Sequence, residues 1–317
     1  MRTRKYYTVS LVLLLTFSGC VWKPEKFVNP KLIVCTTTIV GDAVKQLVGN
    51  KYEVKVLMGA GVDPHIYEAK PSDVRALGEA RVVIYSGLHL EGKMTDLFER
   101  IKNEKEIIAF SNGMDRHKLI KINEHAYDPH AWFDPLIWMS GVHESALKLA
   151  AVFPKDSSFI MNNYRKIEED FLILYANVKD QLSTIKSSQR VLITSHDAFH
   201  YFGKAFDVEV LAIQGVSTVA EPGLKDVSNL VNLITTRKIK AIFVESSVSS
   251  KSIMAVIEGC QSKGHSVKIG GTLYSDALGD KKSGADTYLK MIRKNVNTLV
   301  SALSDNSTNS KKHESKK

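Results

Sequence analysis

The chain has 317 residues, 44% hydrophobic and 24% charged, with 43 Lys+Arg against 34 Asp+Glu. That is an ordinary globular composition with room for two α/β domains, and it excludes disordered and low-complexity classes. Of the formal +9, Arg2, Arg4 and Lys5 account for three and the tail 304–317 for two, leaving too little on the body for a polyanion-binding face, so no nucleic acid is expected; three cysteines exclude a disulfide scaffold.

The chain opens MRTRKYYTVSLVLLLTFSGC. A basic start, a short apolar run from Val9 to Phe17 and Ser18-Gly19-Cys20 predict a signal peptide over 1–19, because the run is far shorter than the ~20 residues of a spanning helix. Ser-Gly-Cys resembles a bacterial lipobox, which would make Cys20 a lipidated N-terminus followed by a tether over 20–30. A plain cleaved leader is the alternative. Cys35 lies in a strand pattern and Cys260 in a helical one, and both read as buried apolar residues.

Apolar, β-branched runs predict strands at 31–37, 53–58, 81–86 and 106–110, and again at 190–195, 208–213, 241–246 and 265–270. Amphipathic segments at 41–48, 93–102, 136–151, 225–237 and 250–263 alternate with them. The fold class expected is α/β with two lobes (31–153 and 189–303), each a roughly four-stranded parallel sheet flanked by helices. A linker over 154–188 joins them, and residues 304–317 form a disordered Lys-rich tail. No Gly or Pro interrupts the chain between Pro154 and Gly203, and Ile160, Tyr164, Ile167, Phe171, Leu174, Val178, Leu182 and Ile185 follow one helix face. A helix over about 157–185 would be ~43 Å long and suited to spanning two lobes as a rigid connector; an oligomerising coiled coil is the competing reading.

Three histidines sit where strands run into loops. Met58-Gly-Ala-Gly-Val-Asp63-Pro-His65 follows the second strand, Tyr127-Asp128-Pro-His130 follows a polar stretch, and Thr194-Ser-His196-Asp197 closes the first strand of the second lobe. Tyr274-Ser-Asp276 follows the last strand. In open α/β sheets ligands gather beyond the carboxyl ends of the strands. Proline ahead of an imidazole fixes its backbone, and an adjacent carboxylate can take its second N–H. Three neutral imidazoles and one carboxylate suit Zn(II), with Mn(II) or Fe(II) tolerated, and acid should weaken binding. Asp63, Asp128, Asp197 and Glu245 are candidates for outer support. His89, His117, His125 and His200 read as loop or surface residues.

With these motifs stand Tyr85-Ser-Gly-Leu-His-Leu-Glu91, Asp128-Pro-His-Ala-Trp-Phe-Asp134, Thr194-Ser-His-Asp-Ala-Phe-His-Tyr-Phe202, Gln214-Gly-Val-Ser-Thr218, Ile242-Phe-Val-Glu-Ser-Ser247 and Gly270-Gly-Thr-Leu-Tyr-Ser-Asp276-Ala-Leu-Gly-Asp280. From about Leu32 to Leu303 the chain resembles the solute-binding lipoproteins of zinc and manganese ABC transporters. The resemblance implies a metal held between the lobes by His65, His130, His196 and Asp276, and a permease and ATPase as partners. It also implies a monomer exported to the periplasm or the outer face of the cytoplasmic membrane. Manganese-selective members tend to carry glutamate at the position of His196, and zinc-selective members a long His-rich loop; this chain has neither, so both metals stay open. A zinc hydrolase needs an open metal position and a base, and a surface adhesin would use outer faces. Neither GxSxG nor a P-loop is present.

Overall fold

The computed structural model describes residues 28–304. The expected signal peptide, Cys20, most of the tether and nearly all of the tail lie outside them.

Four short strands build the first lobe: β1 (Leu32–Cys35), β2 (Glu53–Val56), β3 (Val82–Tyr85) and β4 (Glu106–Ala109), all parallel in the order β2-β1-β3-β4. Helices α1 (Thr38–Val48), α2 (Pro71–Glu79) and α3 (Thr95–Ile101) connect them. Thr37 starts α1 by accepting the Val40 N–H at 3.3 Å. Gly87, Leu88 and His89 all adopt positive φ, a costly run for non-glycine residues. It turns the chain so that buried Glu91 accepts the Ser86 and Gly87 N–H groups and the Thr36 hydroxyl just beyond β1.

The second lobe holds β5 (Val191–His196), β6 (Glu209–Gln214), β7 (Ala241–Glu245) and β8 (Lys268–Leu273). They form two parallel two-stranded sheets, β5 with β6 and β7 with β8, and β5 lies beside β7. Helices α6 (His200–Phe206), α7 (Leu224–Arg237), α8 (Lys251–Ser262) and α9 (Tyr288–Leu303) surround them. The last strand starts three residues later than expected and runs through both glycines. Residues 263–265 finish α8, with Gly264 at φ 74° and His265 N–H on the Cys260 carbonyl. Glycine is required further on: a Cβ at Gly270 would lie 2.6 Å from the Phe243 ring, and Gly271 has φ 145°.

Between the sheets the chain crosses once, through α4 (Pro135–Val152) and α5 (Ser157–Ser183). The 27 residues of α5 extend ~40 Å. Its seven buried residues, Ile160 to Leu182, follow the predicted face and join a core that also takes in residues of α1, α4 and α9. Buried hydrogen bonds fasten the lobes along one side. The Trp132 indole donates to the Ser275 carbonyl at 3.0 Å, the Tyr288 hydroxyl to the Trp132 carbonyl at 2.7 Å, and Leu278 N–H to the Thr38 hydroxyl at 2.8 Å. The Tyr201 hydroxyl donates to the Asp128 carbonyl at 2.9 Å and accepts Ile120 N–H. The loop after β2, the end of β5 and the segment after β8 thus meet between the lobes.

Candidate metal centre

His65 lies on the loop after β2, His196 is the last residue of β5, and Asp276 follows β8. His130 arrives by a longer route, just ahead of a single 3-10 turn at Ala131–Phe133. Its aim is set locally: Asp128 Oδ1 accepts both the His130 backbone N–H at 2.9 Å and its Nδ1 at 2.7 Å. His196 is held similarly by Glu245 at the end of β7, whose Oε1 accepts the backbone N–H at 2.9 Å. Oε2 stands 2.6 Å from Nδ1, at ion-pair distance but without hydrogen-bond alignment. With a carboxylate beside Nδ1 in both rings, Nε2 is the nitrogen turned toward the other candidate ligands.

The ligand atoms of His65, His130, His196 and Asp276 all lie within 4.8 Å of one another, and all four residues are buried. His130 Nε2 is 3.3 Å from both His65 Nε2 and His196 Nε2. Asp276 Oδ1 is 3.4 Å from His130 Nε2, while Oδ2 is 3.3 Å from His196 Nε2 and 3.8 Å from His65 Nε2. A tetrahedron with bonds of ~2.0–2.1 Å has edges of ~3.3–3.4 Å, so four of these separations match its edges, while His65 stands wider, 3.8 Å from Asp276. Both Asp276 oxygens face the imidazoles, fully buried and without a hydrogen-bond donor. A carboxylate so placed is costly unless positive charge joins it.

The electrostatics follow. Burial opposes a charge on His130, yet Asp128 and Asp276 overcome it and raise its pKa to about 9. Glu245 and Asp276 likewise outweigh burial at His196, which is raised well above its ordinary value. Against its own burial, Asp276 is held well below the usual carboxylate range by His196 and His130. His65 differs: burial dominates and lowers it to about 4, and no carboxylate is paired with its Nδ1 among the described residues.

The outer candidates divide. Asp128 and Glu245 back the imidazoles. Asp63 touches no ring; its Oδ1 accepts the His65 backbone N–H at 2.9 Å and its Oδ2 accepts the Thr218 hydroxyl at 2.6 Å. Asp197 faces His200 Nε2 at 3.2 Å instead of the His196 ring, and His200 Nδ1 lies 3.7 Å from Asp128 Oδ2. His89 and His125 line a separate cavity of about 360 Å³ in the first lobe. Sequence reasoning did not single out Trp132 and Ser275, which flank two of the four residues and bond across the lobes, nor Thr218 as a contact of Asp63.

The model of the family described as zinc-uptake complex component A, periplasmic, matches residues 33–302. The chain belongs to this family. It is 43% identical over 272 residues to the manganese-binding lipoprotein MntA of Bacillus subtilis, spanning 86% of this chain and 89% of that one. It is 38% identical to the zinc-binding protein TroA of Treponema pallidum over 86% and 88% of the two chains. The structure of the T. pallidum periplasmic zinc-binding protein TroA superposes with a TM-score of 0.85 at 37% identity, covering 86% of this chain and 99% of that one. The zinc-uptake component family consists of solute-binding proteins of ABC importers and not of enzymes, which sets the hydrolase reading aside.

Proposed function

We propose that this protein captures Zn(II) or Mn(II) outside the cytoplasmic membrane and hands it to the permease of an ABC importer, with His65, His130, His196 and Asp276 as the ligands. The observation that carries this reading is the donor-free, fully buried Asp276 carboxylate facing three imidazoles at 3.3–3.8 Å. Relatives named for zinc and for manganese support both cargoes. The donor set supports the choice physically. Three imidazoles and a carboxylate favour Zn(II), and Asp276, with an oxygen toward each of two histidines, can add a fifth bond and so accommodate Mn(II).

The protein works as a monomer, with residues 1–19 removed on export and Cys20 carrying the lipid. Among the described residues no helix is long and apolar enough to cross a membrane. The related lipoproteins support an N-terminal lipid as the tether. Calorimetric titration of metal-stripped protein with Zn(II), Mn(II) and Fe(II), alone and in competition, tests the reading. One ion bound per chain is expected, and absence of saturable binding by any of them refutes it.

A further inference from the structure

The four residues of the centre are not held alike. His130 and Asp276 are locked to each other across the lobes by the buried Trp132–Ser275 bond and by Tyr288 beneath Trp132. His196 is gripped by Glu245 at both its backbone and its ring. His65 has neither device. It sits on the loop 57–66, is followed by Ile66 at 52% exposure, and has no carboxylate behind its ring among the described residues. Where this loop approaches the second lobe, the hydrogen bond between them among the described residues runs from the Thr218 hydroxyl to Asp63. The same carboxylate holds the His65 backbone N–H with its other oxygen. One side chain thereby couples the placement of His65 to a loop of the opposite lobe.

We infer that the Thr218–Asp63 hydrogen bond is a latch that keeps His65 in the metal centre, so that its opening sets the rate of metal release. Thr218 acts as a positioning residue, separated from the ligand by the Asp63 carboxylate. When the bond breaks, the loop carrying His65 is freed from the second lobe while the other three donors stay fixed by their buried partners. A three-donor site then faces the cleft mouth, where an acceptor can take the ion. The latch is within reach of a docking partner, because Thr218 is half-buried and its neighbour Val219 is 60% exposed.

This inference rests on the metal-capture reading, and the experiment separates the two. Zn(II)-loaded protein is mixed with excess chelator and the release rate followed by tryptophan fluorescence, since Trp132 lies 5.2 Å from the His130 ring. Thr218→Val keeps the side-chain shape and removes the donor, and release should quicken about tenfold, the scale of one hydrogen bond to a carboxylate. Thr218→Ser should restore the wild-type rate, and the stripped variants should still unfold in one cooperative transition like the wild type. Release from Thr218→Val at the wild-type rate, or release from Thr218→Ser as fast as from Thr218→Val, overturns the latch. Wild-type protein that takes up no Zn(II) overturns the capture reading itself.

Discussion

Glu245 grips His196 twice, through the backbone N–H at 2.9 Å and beside Nδ1 at 2.6 Å, from the neighbouring strand β7. The place of β7 beside β5 therefore sets the direction of the imidazole before any metal arrives. Glu245→Gln keeps the shape but removes the charge. It should weaken Zn(II) binding by about 10–100-fold, the range for a partner behind a ligating histidine. Chelator-competition titration checks this, and unchanged affinity would reduce Glu245 to a strand-end acceptor.

Acidity should act on the metal-free and loaded forms differently. His130 is raised to about 9 in the metal-free protein, so the stability it confers is present below about pH 6.5 and lost as pH rises through 9. His65, lowered to about 4, works in the opposite direction: stability falls as pH drops from about 6.5 toward 4. Stripped protein should melt highest near pH 6.5. Metal excludes the proton from Nε2, so loading near neutral pH should release at least one proton, read by calorimetry in buffers of different ionisation heat. Loaded protein should show no decline in melting temperature between pH 6.5 and 9.

Removing a ligand and removing a bystander histidine should separate cleanly. His130→Ala takes away one of four donors and should cost about 100-fold or more in Zn(II) affinity, a quarter of the free energy of a four-ligand zinc site. His200→Ala removes a ring that faces the Asp128 and Asp197 carboxylates and is not among the four clustered residues. Its affinity should stay within about threefold of wild type. Equal losses in both would contradict the assignment.

Stability should depend on where α5 meets α9. Phe171 is buried, with its ring 4.8 Å from that of Tyr288, whose hydroxyl reaches the Trp132 carbonyl. Phe171→Ala should cost about 3–5 kcal/mol in urea unfolding as a large aromatic truncated in a packed core. A loss below about 1 kcal/mol would mean the helix is not integral to the core.

The proposed lipid at Cys20 is tested by fractionation. Cys20→Ala should move the exported protein from the membrane pellet to the soluble fraction while leaving Zn(II) affinity unchanged. Retention in the pellet would point to attachment elsewhere in the chain.

The strands, the long helix and the clustering of four residues were legible because each leaves a local trace: a β-branched run, a period near 3.6, an Asp-Pro-His at a strand exit. The register of β8 was not, since paired glycines read as a break, and only Phe243, Thr298 and Ala302 packed overhead explain why the strand continues through them. Asp197 illustrates another limit. Adjacency to His196 suggested support for that ring, but β5 ends at His196, the chain bends at Asp197, and its carboxylate meets His200. Helices α2, α6 and α9 went unread, two of them because seven to nine residues carry too few periods to register. The Thr218–Asp63 bond joins positions 155 apart, a separation invisible to any local pattern.

A single stiff spar of 27 residues shared by both halves has a consequence for signalling. Without a flexible crossover the body cannot swing shut like a clam shell, so small-angle scattering curves of filled and empty protein should superimpose. A transporter waiting outside would then have no global shape to sense. It would have to distinguish a full carrier from a spent one by touch, at the rim of the cleft.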